Sequence, residues 1–208
     1  MADDADVPRV HAETRAEWRA WLAAHHATAS GAWLVSWRSG VGRPSVGYED
    51  SVREALCFGW VDSKGLKLDE ERTMLYFAPR RSRSGWARTN KQRVEQLRAE
   101  GLMTDAGEAV IAEAEANGSW SLLDEVENLT VPADLQQALD AQPPAEQHWQ
   151  EFPRSARRAI LEWIVQARTA PTRARRVAET ARLAALNQRA NQWRPKDAEA
   201  PGSAGSSS

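Results

Sequence analysis

The residues of this chain best suited to chemistry are basic and closely spaced. The stretch "YFAPRRSRSGWARTNK", residues 76 to 91, places Arg80, Arg81, Arg83, Arg88 and Lys91 around Ser84 and Trp86. Ser84 has the residue type that starts a helix, and the spacing predicts one running to about Glu100, closed by Gly101. A helix N-terminus carries partial positive charge and repels exposed cations by about 0.3–1 kcal/mol each. Four arginines gathered there are badly placed for helix stability alone. Something negative must offset them: a carboxylate of the same chain or a bound anion. Asp62 is the nearest carboxylate with a path to them, and Glu70 and Glu71 are rivals. The candidate ligand-binding set is therefore Trp60, Asp62, Arg80, Arg83, Ser84, Trp86, Arg88, Asn90 and Lys91. Trp60 and Trp86 would be walls, and Asp62 would orient an arginine. Asn90 shares a helical face with Trp86, Val94 and Leu97, which suits a satisfied buried amide as well as a ligand contact.

Charge is blocked along the whole chain. Seven basic residues and no acid lie between Arg72 and Val94, and seven more against Glu162 alone lie between Arg154 and Arg176. Twelve acids and no lysine or arginine lie between Glu100 and Glu151. Either the acidic middle neutralises the basic segments, or a basic face stays open to an anionic small molecule or protein partner.

Other catalytic arrangements fare worse. The single cysteine, Cys57, sits near a helix C-terminus, where the dipole raises a thiol pKa, so it reads as a core thiol. His11, His25, His26 and His148 have no motif around them. HExxH, phosphate-loop, GxGxxG and GxSxG patterns are absent, so no metal site, cofactor or catalytic residue is assigned. The balance leans away from an enzyme. An enzyme acting on a small anionic metabolite, with the same arginines as clamp, is the alternative. Nucleic-acid binding around Arg157, Arg158, Arg173, Arg175 and Arg176 is a second; a net charge of −2 and a pI near 6.1 argue against it.

The elements that must position these residues are legible in part. The chain has 208 residues, 42% apolar and 27% charged, an ordinary globular composition. No apolar run approaches the roughly 20 residues that span a bilayer. The acidic start has no signal-peptide character, so a cytoplasmic location is expected. Ten tryptophans serve mainly as core anchors. Thr14 and Glu17 form a capping box for a helix over 14–26. "GAWLVSW" reads as a strand, and Tyr48 to Gly59 as a helix with Gly59 ending it. "KGLKLD" and "TMLYFA" read as two short strands about an acidic turn. Helices follow: one capped by Thr104, and others after Pro132, in "PPAEQHWQEF", in "RSARRAILEWIVQAR" and from Pro171. The expectation is an α+β fold: a short, mostly antiparallel sheet of about three strands packed with helices, then an all-helical module. The boundaries are a loose leader to residue 10, an α+β domain over 10–118, a helical module over 119–190 and a disordered tail over 191–208.

Three stretches, "YEDSVREALCFGWVDS", "YFAPRRSRSGWARTNKQRVEQL" and "GLMTDAGEAVIAEAEANGSW", resemble the bacterial YdeI/OmpD-associated family, also called bacteriocin-protection proteins. The helical end from "VPADLQQALD" to "RVAETARL" resembles that family's C-terminal module. The resemblance covers roughly 45–190. It implies an α+β domain with a helical extension, and a role in stress or antimicrobial-peptide resistance with an envelope association. Gly59, Trp60, Asp62, Pro79, Arg80, Ser84, Trp86 and Asn90 match its motif. Gly85 and Ala87 depart from it, standing where an apolar residue and a serine are expected.

Overall fold

The computed structural model describes residues 7–192. They fall into two compact units that part between Asp124 and Glu125. The first is α+β. Its sheet has four strands, β1 (Arg9–His11), β2 (Ala32–Trp37), β3 (Trp60–Lys67) and β4 (Arg72–Pro79), in the order β1-β2-β4-β3. The strands β2, β4 and β3 pair antiparallel, and β1 joins β2 in parallel. The sheet is thus mixed, with one strand more than expected. The extra one lies in the segment read as a leader, because three residues carry no alternation that a sequence can display. The expected tail lies almost wholly outside the described residues.

Around the sheet run α1 (Arg15–His25), α2 (Tyr48–Cys57), α3 (Arg88–Ala99) and α4 (Asp105–Ala116). Local chemistry sets most of their ends. Thr14 accepts from the Glu17 amide while the Glu17 carboxylate accepts from the Thr14 amide, the reciprocal capping box. Thr104 caps α4 through the Gly107 amide. Gly59 follows the last turn of α2 at φ +73°, a conformation that favours glycine, and a Cβ there would stand 2.6 Å from Val110 Cγ2. The chain then enters β3 directly, which puts Trp60 and Asp62 on a strand.

The core of this unit is aromatic. Trp18, Trp33, Trp60, Trp86 and Phe77 are almost wholly buried. Trp18 stacks on Trp21 with centroids 5.4 Å apart, lies 5.2 Å from Phe77, and donates its indole N–H to the Ser51 carbonyl at 3.0 Å.

The second unit is helical: α5 (Asp124–Glu127) at the boundary, then α6 (Ala133–Asp140), α7 (Ala145–Glu151), α8 (Arg154–Val165) and α9 (Ala170–Ala185). Thr169 caps α9, and α6, α7 and α8 all pack on it. Leu135, Leu139, Trp149, Ile160, Ile164 and Ala181 form the interior. Among the described residues no helix is long and apolar enough to cross a membrane.

The start of α4 packs directly against the end of α2. The Thr104 amide and hydroxyl both donate to the Cys57 carbonyl, at 3.2 and 2.5 Å. A Cβ on Gly107 would collide with that same carbonyl group. Gly107→Ala is therefore expected to destabilise by roughly 1–3 kcal/mol in denaturant unfolding. Gly65→Ala, whose Cβ would meet only the Met74 carbonyl at 3.9 Å, serves as a neutral control.

Candidate functional site

The first turn of the basic segment does not become helix. The helix α3 starts at Arg88 with Ala87, in extended backbone, as its N-cap; Ser84 does not cap it. Residues 80–87 form a turn instead, because other partners hold them. The Arg80 amide bonds the Gly59 carbonyl at 2.9 Å, and the Trp86 amide bonds the Ser119 carbonyl at 3.3 Å. Asn117 and Ser119 side chains both donate to the Ser82 carbonyl, at 2.8 and 3.0 Å. A Cβ on Gly85 would stand 2.7 Å from Leu123 Cγ, which accounts for glycine at that position.

Arg80 is the unusual member. Its guanidinium lies 4.0 Å over the Trp86 ring, and its only hydrogen bond runs from Nη2 to the Gly85 carbonyl at 2.5 Å. Its Nε is buried with no acceptor. Burial pushes its pKa down to about 10, against a smaller opposing pull from Asp62. Arg81 and Arg83 are exposed beside it and form no ion pair among the described residues. Trp86 is buried under Arg80 and packs on Trp120 at 4.9 Å.

The remaining candidates divide. Lys91 pairs with Asp124 at 2.5 Å and lies 5.2 Å over Trp120. Asn90 accepts from Arg93 Nη1 at 2.8 Å, a satisfied amide. Arg88 is the exposed first residue of α3, and Ser84 closes a turn through its amide to the Arg81 carbonyl. Trp60 is not brought to the cluster: it is 1% exposed, donates to the His26 carbonyl at 3.3 Å and meets Trp21 edge-on. It is a core anchor.

Asp62 sits opposite Phe77, where a bulge between Asp62 and Gly65 shifts the register. Its hydrogen bond comes from the Tyr48 hydroxyl at 3.1 Å, so its nearest contact is a phenol; its pull on Arg80 acts through space. Tyr48 and the neighbouring Glu49 open α2. Arg93 clamps Glu49 with two bonds of 2.9 and 2.6 Å. That clamp holds the Glu49 carboxyl below its usual range. Burial, followed by the negative Asp62, raises the Tyr48 phenol. The polar cluster is thus Tyr48, Glu49, Asp62, Arg80, Asn90 and Arg93. Tyr48 and Glu49 were missed because their partners lie 14 and 44 residues away.

A second missed group is Glu54. It is 2% exposed, and both its oxygens are taken, one by Arg15 Nε and the other by Arg19 Nη1 at 2.6 Å. Arg19 also donates to the Leu102 carbonyl at 2.9 Å. Beside it, burial raises the Cys57 thiol, as expected of an inert core thiol. Among the described residues no cluster of His, Cys, Asp or Glu could hold a metal ion.

The acidic middle neutralises much of the basic charge within each unit. In the first, Glu100 pairs with Arg53, Glu108 with Arg98 and Asp124 with Lys91. In the second, Arg158 pairs with Glu127 and Arg173 with Asp134. Arg176 lies over Trp163.

Residues 128–187 match the family described as "Bacteriocin-protection, YdeI or OmpD-Associated". Residues 10–110 match a separate model, "Domain of unknown function (DUF8412)". The bacteriocin-protection match thus lies within the helical unit, whereas most of the N-terminal stretches resembling that family lie under the second match. No curated protein and no solved structure matches the chain.

Because its folded pKa is lowered, Glu49 contributes stability that is full above the ordinary glutamate range and lost as pH falls through and below it. Thermal unfolding followed against pH should give a shallower acid slope for Glu49→Gln than for the parent. An unchanged slope would mean the Arg93 clamp does not contribute.

Proposed function

We propose that this chain, whose residues 128–187 carry the bacteriocin-protection, YdeI or OmpD-associated module, is a protection protein of the stress-resistance type. It works by binding an anionic ligand or partner at the Arg80–Arg83 turn, without catalysis. The observation that carries this reading is Arg80. A guanidinium moved out of water ordinarily has acceptors for most of its N–H groups. This one has a single carbonyl and an aromatic face, and its pKa is lowered to about 10. Arg81 and Arg83, exposed and unpaired, add positive charge at the same turn.

A phosphate or carboxylate arriving there gains charge-assisted hydrogen bonds from a partly desolvated donor, which are stronger than those from a fully hydrated one. Trp86 supports the guanidinium plane from below. The bonds to the Gly59 and Ser119 carbonyls and those donated by the Asn117 and Ser119 side chains keep the turn in place before the ligand arrives, which limits the ordering cost of binding.

The test is thermal shift with phosphate, polyphosphate and small carboxylates. The expected outcome is a rise in Tm that shrinks with added salt. At a ligand concentration a hundred times Kd the linkage is worth about 2.7 kcal/mol. Arg80→Met should abolish the rise while leaving the unliganded Tm equal or higher, since an apolar side chain relieves the desolvated charge. Arg83→Ala should weaken it. If no anion stabilises the parent, or Arg80→Met responds like the parent, the proposal fails.

A further inference from the structure

The helices of the first unit cover one face of the sheet over only part of its length. At one end Ala32, Leu34 and Phe77 are buried, and Trp18 packs on Phe77. Further along, where Ser36 opposes Thr73 and Leu75 opposes Gly65, the face opens into a groove of about 710 Å³. The glycine-rich loop between β2 and α2 forms its other wall, tied back by the Trp37 amide donating to Ser45 Oγ at 3.0 Å. The volume falls within the range of about 300–1,000 Å³ usual for small-molecule sites.

Its lining combines two features. The floor and sides are mainly apolar, with Leu34, Val46, Leu66 and Leu75 among them. Tyr48 and Leu66, 58% and 45% exposed, are two of the three large apolar side chains exposed among the described residues, and both line this groove. The only charged lining residues are Arg38 and Arg43. Arg43 lies 4.6 Å over the Trp37 ring, and Arg38 donates to the Glu70 carbonyl at 3.1 Å. Neither forms an ion pair among the described residues, and two acids of the adjoining turn are engaged elsewhere, Asp69 by Arg72 and Glu70 by Lys67.

An apolar channel whose only charges are two unpaired arginines is complementary to an amphiphilic anion. We infer that this groove binds a free aliphatic carboxylate of medium chain length, the chain along the sheet floor and the carboxylate at Arg38 and Arg43. This site is separate from the Arg80 turn, and its success or failure leaves that reading untouched.

Isothermal titration calorimetry on the full chain tests it with four probes: octanoate, decanoate, 1-octanol and acetate. Decanoate should bind about tenfold or more tighter than octanoate, as two further buried methylenes require. Octanol and acetate should each bind at least fivefold more weakly than octanoate. Gly65→Phe fills the floor, and its Cβ meets nothing nearer than the Met74 carbonyl at 3.9 Å. It should cut decanoate binding at least tenfold with the circular dichroism spectrum unchanged. The double variant Arg38→Met, Arg43→Met should weaken octanoate at least fivefold and leave octanol as it was. Absence of decanoate binding, octanol bound as tightly as octanoate, or a folded Gly65→Phe with parental affinity each overturns the proposal. Should Gly65→Phe not fold, the arginine double variant decides: parental octanoate affinity overturns the site. Binding only to vesicles containing anionic lipid, and not to the free acids, also overturns it.

Discussion

The first unit is organised around one buried carboxylate. Glu54 lies on α2, and its two oxygens are held by Arg15 and Arg19 from α1. Arg19 extends the connection to the Leu102 carbonyl after α3. A single side chain therefore fixes the relative placement of α1, α2 and the α3–α4 connection. Removing one partner of a buried pair costs about 3–5 kcal/mol, because the other charge stays buried. Here the two arginine side chains are 37% and 33% exposed, so solvent screening moves the value toward the low end. Everything downstream depends on α2 being fixed: its first residue, Tyr48, reaches Asp62, its second, Glu49, is clamped by Arg93, and its last carbonyl, on Cys57, receives α4.

The charge blocks in the sequence resolve mostly into pairs within each unit. Such pairs at the surface are worth little individually, with exposed examples contributing about 0–1 kcal/mol. Their effect is more on what remains than on stability. Once Asp124 takes Lys91, Glu49 takes Arg93 and Glu108 takes Arg98, the positive field of the segment is concentrated on the 80–83 turn. A field that is narrow and fixed on a rigid turn discriminates among anions better than a diffuse basic face, which would attract any polyanion.

What the sequence disclosed was local. Thr14 with Glu17, Gly59 and Thr104 could be read because each acts on a backbone group within three or four residues. The Ser84 start was misread for the converse reason. Its residue type and spacing suit a cap, but the backbone of 84–87 is held by Ser119 and pressed by Leu123, which lie more than thirty positions away. Glu54 was invisible as an organising residue because its arginines precede it by 39 and 35 positions. Its place inside a helix looked like any other surface glutamate. Asp62 was read as the carboxylate that orients an arginine; it acts on Arg80 only through space, and it accepts from Tyr48 beside the bulge that follows it in β3. Trp60 has the residue type of a ligand wall, and only the packing of α1 against β3 assigns it to the core.

Arg80 and Arg43 both stack on tryptophan, and their surroundings give the same contact different consequences. Arg80 has surrendered water to lie on buried Trp86, and its lowered pKa records that loss. An anion bound there, as proposed, would restore what burial removed, so charge itself would supply the affinity. Arg43 lies over Trp37 at an exposed position and keeps its hydration. A carboxylate meeting it exchanges one set of hydrogen bonds for another, with a net gain of about 1 kcal/mol for each arginine. Most of the affinity in the groove must therefore come from the apolar floor, at roughly 0.8 kcal/mol for each methylene buried, while the arginines add the smaller part that separates a carboxylate from an alcohol and set which end of the molecule points outward. The same residue pair would thus make the proposed turn site depend on charge and the proposed groove depend chiefly on apolar length.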